Sequence, residues 1–195
     1  MSANIPDDIP SSLPDAEHLY RGLLGQLKSA LLADPQIQIA GLASGGAWLA
    51  KRLASVLGLE HFGVINVSFH RDDYQDKGVR AIQRAEFMPT TLPFDVEGAT
   101  IVLVDDVLDT GRTVRAALNE LFDYGRPKKV ELAVLADRHR RELPVDATYK
   151  GAKVELGSQQ ILVLEQLLDG RFEFNMESKK SKCNFSKRSS CLYIF

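Results

Sequence analysis

A chain of 195 residues that is 45% hydrophobic is enough for one globular domain with a sizeable core, and it holds no run of the about eighteen apolar residues that a membrane span needs. The N-terminus, with Asp7, Asp8 and several prolines, lacks a basic-then-apolar leader, so the expected location is cytoplasmic. The net charge of −2 hides an asymmetry: residues 178–195 hold five Lys or Arg and no acid, leaving 19 basic and 26 acidic side chains in residues 1–177, a balance of −7 that argues against general nucleic-acid affinity.

Residues 1–14, with prolines at 6, 10 and 14, read as a flexible arm. From Asp15 to Ala33, Leu19, Leu23, Leu27 and Leu31 recur every four residues, and Tyr20 and Leu24 widen the stripe, which predicts a helix packed on a sheet. His18 reads as a solvated first-turn residue. Ile37 to Ala43 is the first expected strand. It leads through Ser44-Gly45-Gly46 into a helix over Ala47 to Leu57, stopped by Gly58, on which Trp48 should pack in the core. Phe62 to Phe69 reads as a second strand, followed by His70-Arg71-Asp72-Asp73. From Tyr74 to Pro93 the chain is charged and aperiodic, with Lys77, Arg80 and Arg84, and a loop this long is expected to be a lid.

Ile101 to Val104 are four apolar residues in a row, as in a strand buried on both faces of a parallel sheet, and Asp105 and Asp106 fall at its carboxyl end. Open α/β sheets bind ligands at that end. Thr110, Gly111, Arg112 and Thr113 then lead into a helical pattern over Val114 to Tyr124. Backbone N–H groups, the helix dipole, two hydroxyls and a permissive glycine together make a phosphate cradle there. Gly125 and Pro127 stop the helix, and Lys129 to Ala136 is the next strand, ending at Asp137-Arg138 before the basic cluster His139 to Pro144. Gln160 to Leu164 and Arg171 to Phe174 read as closing strands joined at Asp169-Gly170. Strands beginning near residues 37, 62, 100 and 129, separated by helical patterns, predict an α/β fold with a mainly parallel, doubly wound sheet. From Ser178 onward the Ser/Lys/Cys-rich sequence reads as a disordered basic tail. Cys183 and Cys191 both lie in it, so the body has neither a disulfide framework nor a thiolate metal site.

The run Val-Asp-Asp-Val-Leu-Asp-Thr-Gly-Arg-Thr resembles the signature with which type I phosphoribosyltransferases bind 5-phosphoribosyl 1-pyrophosphate (PRPP). The resemblance implies that Asp105 and Asp106 hold the ribose 2′ and 3′ hydroxyls and that Asp109 to Thr113 wrap the 5′-phosphate. It also implies a second anion site at Ser44, Gly45 and Gly46, where many relatives have Lys-Thr-Arg-Gly in place of Ala43-Ser44-Gly45-Gly46, so that pyrophosphate would meet backbone N–H groups, the Ser44 hydroxyl and a cation such as Arg71. Phe-Asp-Val-Glu-Gly before the motif, Thr-Val-Arg-Ala-Ala-Leu after it, Tyr-Gly-Arg-Pro, Leu-Ala-Val-Leu-Ala-Asp-Arg and Arg-Glu-Leu-Pro-Val together resemble the PyrR family, from about Leu19 to about Phe174.

That family comprises pyrimidine operon attenuators with uracil phosphoribosyltransferase activity. The resemblance therefore implies a phosphoribosyltransferase domain over residues 15–177 with a small hood over the base, Mg²⁺ carried mainly by substrate near Asp105 and Asp106, and a homodimer or higher assembly. It places Asp137 and Arg138 at the base, and it implies UMP sensing and RNA contacts through Arg140 and Arg141. Asp109 stands where many members have Tyr or Phe, and purine phosphoribosyltransferases carry an Asp there as a base. A catalytic role for Asp109 and a helix-capping role are both open. The expected reaction is uracil plus PRPP giving UMP and pyrophosphate. The alternatives are an RNA-binding attenuator with vestigial catalysis and a hypoxanthine/guanine phosphoribosyltransferase.

Overall fold

The computed structural model describes residues 13–67 and 89–178. Arg71, most of the expected lid, most of the N-terminal arm and all but the first residue of the basic tail lie outside those residues. Asp15 starts the first helix, α1 (Ala16–Ala33), by accepting hydrogen bonds from the N–H groups of Glu17 and His18 at 2.9 and 3.1 Å. Leu19, Leu23 and Leu27 of the stripe are buried with Tyr20, Leu24 and Leu31 are half-buried at its margin, and His18 is exposed. There follow β1 (Gln38–Leu42), α2 (Gly45–Leu57), β2 (Gly63–Ile65), β3 (Thr100–Leu108), α3 (Arg112–Phe122), β4 (Lys129–Asp137), β5 (Tyr149–Lys153), β6 (Gln160–Gln166) and β7 (Phe172–Ser178).

Strands β1 to β5 form one parallel sheet in the order β2-β1-β3-β4-β5, while β6 and β7 pair antiparallel as a separate hairpin. On one face α1 and α2 bury Leu23, Leu27, Leu49 and Leu53 against Ile39, Val102, Val104 and Leu135, and the hairpin adds Leu162, Leu164, Phe172 and Phe174 to the same core. On the other face α3 buries Val114, Ala117 and Leu121 against Leu42, Ile101, Leu103 and Val134. Helices on both faces of a parallel sheet make the fold doubly wound, as predicted. Among the described residues no helix is long and apolar enough to cross a membrane.

Three details differ from the expectation. Strand β2 covers only Gly63–Ile65, and its middle residue Val64 exchanges backbone hydrogen bonds with Thr91, each 2.8 Å, in an antiparallel bridge. Trp48 is half-buried rather than central. Strand β5 was not anticipated, because Tyr-Lys-Gly-Ala-Lys lacks an apolar run. Gly151 is needed there, since a side-chain carbon would stand 2.5 Å from the Leu135 carbonyl oxygen and 2.9 Å from Cβ of Leu19 on the crossing helix.

A charged clasp ties the helices to the hairpin. Arg52 of α2 pairs through two nitrogens with Glu17 of α1, and its guanidinium lies 4.3 Å from the Tyr20 ring centre and 5.0 Å from that of Phe172. Glu17 also accepts the Phe172 N–H at 2.8 Å. The Arg52 hydrogen bond, opposed by burial and reinforced by the Phe172 N–H, holds the Glu17 carboxyl below its ordinary range.

Candidate active site

The chain leaves β1 for β2 on one side and returns to β3 on the other, so strand order reverses between β1 and β3. Crevices of this kind open at the carboxyl ends of the strands. Three segments emerge there together: residues 43–46 after β1, 109–111 after β3, and 138–146 after β4.

Both acids of the motif lie inside β3 rather than after it, since β4 pairs with β3 as far as Leu108 opposite Asp137. Asp105 is 4% exposed and Asp106 half-buried. Each carboxylate accepts a 3.0 Å hydrogen bond from the N–H of the next residue, which fixes its orientation. Asp106 faces the first turn of α2, where a carbon added to Gly45 would stand 2.6 Å from its Oδ2. The neighbouring Gly46 lies against the Val104 carbonyl, with no room for a side chain. The two glycines therefore bring the 43–46 loop into contact with the acid pair, and Gly45→Ala is expected to displace the Asp106 carboxylate. Its signature is weaker ligand binding at this crevice with little change in melting temperature, measurable by calorimetry beside thermal unfolding. Ser44 precedes the helix without capping it through its side chain, and the Ala43–Ser44 peptide bond is cis.

In the second loop Gly111 adopts φ 91°, and a carbon there would stand 2.5 Å from Cγ2 of Val145. Helix α3 starts one residue later, earlier than the apolar pattern indicated, so Arg112 and Thr113 belong to its first turn. The Thr110 hydroxyl accepts from the Arg112 N–H at 3.3 Å. Arg112 turns its guanidinium to Glu142, with Nε and Nη2 each 2.8 Å from Oε2, which braces this loop against the third segment.

Asp109 does not cap α3. Its Oδ2 accepts from Nη1 of Arg138 at 3.0 Å, and Nε of Arg140 approaches Oδ1 at 3.9 Å. The Arg138 side chain is 2% exposed and also donates through Nη2 to the Gly157 carbonyl at 3.3 Å. Burial pushes the Arg138 guanidinium below its ordinary pKa, the Asp109 charge opposes that, and Arg140 adds to it. Asp137, expected at the base with Arg138, is fully buried, and its carboxylate is taken up by the loop it begins: it accepts from Nη2 of Arg141 at 2.7 Å and from the His139 N–H at 2.8 Å. Burial alone would raise the Asp137 carboxyl, but those hydrogen bonds and the Arg141 and His139 charges bring it below the usual range.

Arg140 and Arg141, expected together on an RNA face, diverge. Arg140 is 37% exposed, whereas Arg141 is turned into the fold. Sequence reasoning missed Glu142, and the pattern Arg-Glu-Leu-Pro right after two basic residues was the available signal.

A family model described as phosphoribosyl transferase domain matches residues 11–167. A protein of Ralstonia nicotianae named bifunctional protein PyrR is 52% identical over 170 residues, covering 85% of this chain and 95% of the relative. The protein of the same name from Pseudomonas entomophila is 42% identical over 154 residues, or 76% of this chain and 86% of that one. Among solved structures, a purine phosphoribosyltransferase from Pyrococcus horikoshii superposes with a TM-score of 0.53 at 27% identity, over 73% of this chain and 86% of that one. A hypoxanthine phosphoribosyltransferase from Staphylococcus aureus shares the fold at 19% identity, with a TM-score of 0.53 over 79% and 82% of the two chains. An acid pair inside the central strand, a glycine turn pressed against it and a second glycine-bearing loop opening a helix thus occur in a chain that belongs to the phosphoribosyl transferase domain family and, within it, to the PyrR proteins.

Proposed function

We propose that the chain transfers the phosphoribosyl group of PRPP to uracil, giving UMP and pyrophosphate. The observation that carries this reading is the placement of the Asp105–Asp106 pair between two turns, Ser44-Gly45-Gly46 on one side and Asp109 to Thr113 on the other, which the reading assigns to the two anionic ends of the substrate. A phosphoribosyl diphosphate has the same order of groups: phosphate, diol, diphosphate.

The bond between C1 and the pyrophosphate oxygen breaks with its electron pair leaving on oxygen, and positive charge grows on the ribose as uracil N1 attacks. Fixed carboxylates beside that sugar stabilise the charge without reorganising. Holding the 5′-phosphate in the 109–113 loop sets the position of C1. Mg²⁺ would fit the site as a substrate-borne ion, since it is commonly held by one or two carboxylates plus substrate phosphates, and the adjacent Asp105 and Asp106 of β3 would supply the carboxylates. When bound it neutralises the diphosphate. The proton released from uracil N1 passes in this reading to the Asp109 carboxylate, which acts as half of an ion pair with Arg138 rather than as a free carboxylate. Arg138, with Asp137 fixing the start of its loop, is the base-side cation.

The test is pyrophosphate release with PRPP, Mg²⁺ and either uracil or hypoxanthine. Uracil is expected to be preferred by about 10²-fold or more. The reverse preference would establish the purine reading, which Asp109 and the likeness to the Pyrococcus horikoshii purine phosphoribosyltransferase favour. A UMP-dependent RNA-binding role, drawn from the PyrR relatives, falls on Arg140 as the most exposed arginine of the 138–141 loop.

A further inference from the structure

We propose that Arg141 is the positioning residue of the phosphate loop, holding its carbonyl groups so that its N–H groups face the ligand. The inference rests on the assignment of residues 109–113 to phosphate.

A guanidinium carries five N–H bonds, and Arg141 meets five acceptors. Nε donates to the Val145 carbonyl at 2.9 Å. Nη1 lies 3.2 Å from the Asp109 carbonyl and 3.4 Å from that of Leu108. Nη2 lies 2.7 Å from Oδ2 of Asp137 and 3.4 Å from Oδ1 of Asp146. Leu108 is the last residue of β3 and Asp109 the first of the phosphate loop. Neighbouring amides complete the pattern: the Arg138 N–H also donates to the Leu108 carbonyl at 2.9 Å, and the N–H groups of Glu142 and Leu143 donate to the Thr110 carbonyl at 3.0 and 3.2 Å.

Three consecutive carbonyls, of Leu108, Asp109 and Thr110, are therefore drawn toward the 138–143 segment. In a trans peptide the C=O and the following N–H are fixed in opposite directions by the planar unit. Holding those carbonyls turns the N–H groups of Asp109, Thr110 and Gly111 to the other side, which is how a row of amides becomes an anion cradle. The Asp137 and Asp146 carboxylates balance the charge of the arginine, so it orients the loop without competing as a second phosphate ligand. Lysine cannot replace it, because an ammonium has three donors and no planar fork.

The experiment compares the full-length wild-type chain with Arg141→Lys. The variant is expected to raise KM for PRPP and Kd for UMP by about tenfold or more, with KM for uracil changing less than about twofold. Equal rises in both KM values, or no rise for PRPP, would overturn the proposal. Should the variant fail to fold, NMR-resolved hydrogen exchange on wild type decides instead. The N–H groups of Arg138, Glu142 and Leu143 should be protected before UMP is added, and those of Thr110 and Gly111 should gain protection only with it; free exchange of the first set, or no UMP effect on the second, sinks the idea. A wild-type chain that binds neither PRPP nor UMP would remove the phosphoribosyl reading and this one together, whereas wild-type binding with an unaltered Arg141→Lys variant would remove this one alone.

Discussion

Replacing both acids of β3, as Asp105→Asn with Asp106→Asn, is expected to lower kcat/KM for pyrophosphate release by about 10³-fold or more, since a single preorganised group facing developing charge is typically worth about 10²- to 10³-fold. Asparagine keeps the shape and the side-chain oxygen, so the hydrogen bonds from the N–H groups of Asp106 and Val107 survive and far-ultraviolet circular dichroism should be unchanged. What disappears is negative charge beside the sugar and acceptor strength toward its hydroxyls. UMP affinity, measured by calorimetry, should also fall, and retention of both turnover and affinity in a folded double variant would leave the acid pair without a role.

The second large effect is on stability. Asp109→Leu leaves the Arg138 guanidinium, 2% exposed, with the Gly157 carbonyl as its remaining partner among the bonds described above. Exposed ion pairs are worth about 0–1 kcal/mol, while removing one partner of a buried pair costs about 3–5. Asp109 is itself a quarter exposed, with a side-chain exposure of 26%, which places this pair between those limits at about 2 kcal/mol. For a chain of this size that is a fall in melting temperature of about 4–8 °C. Arg138→Met in the Asp109→Leu background should recover part of the loss, because the stranded charge goes too. A double-mutant cycle that returns no coupling would show the pair to be incidental.

Much of this was legible because it is local in sequence. The leucine stripe of α1, the apolar run opening β3 and the Thr-Gly-Arg-Thr turn each carry their period or turn chemistry in adjacent residues. The acid pair stood out because two carboxylates beside an apolar run are costly without a purpose. Apart from element boundaries such as the start of α3, the failures are long-range. Strand β5 exists because Gly151 lets α1 lie close over the sheet, and that fit depends on Leu19, far away in the chain. The Asp109–Arg138 and Arg112–Glu142 pairs join residues 29 and 30 apart, and Arg141 reaches carbonyls 32 and 33 residues upstream. A run of basic residues reads as a solvated or RNA-facing surface until the loop's path is known. The path then separates Arg140, at the surface, from Arg141, in the fold.

The interval between Asp109 and Arg141 also has a meaning in time. A ribosome releases the motif turn before the segment that braces it, so the emerging polypeptide exposes the turn with its peptide planes still free to rotate. Such contacts close late, because distant segments must first meet. On the phosphate assignment proposed above, capture of a ligand is expected to begin only once the stretch after β4 has cleared the exit tunnel, and a message truncated between the two would yield a turn of the right composition without its braces.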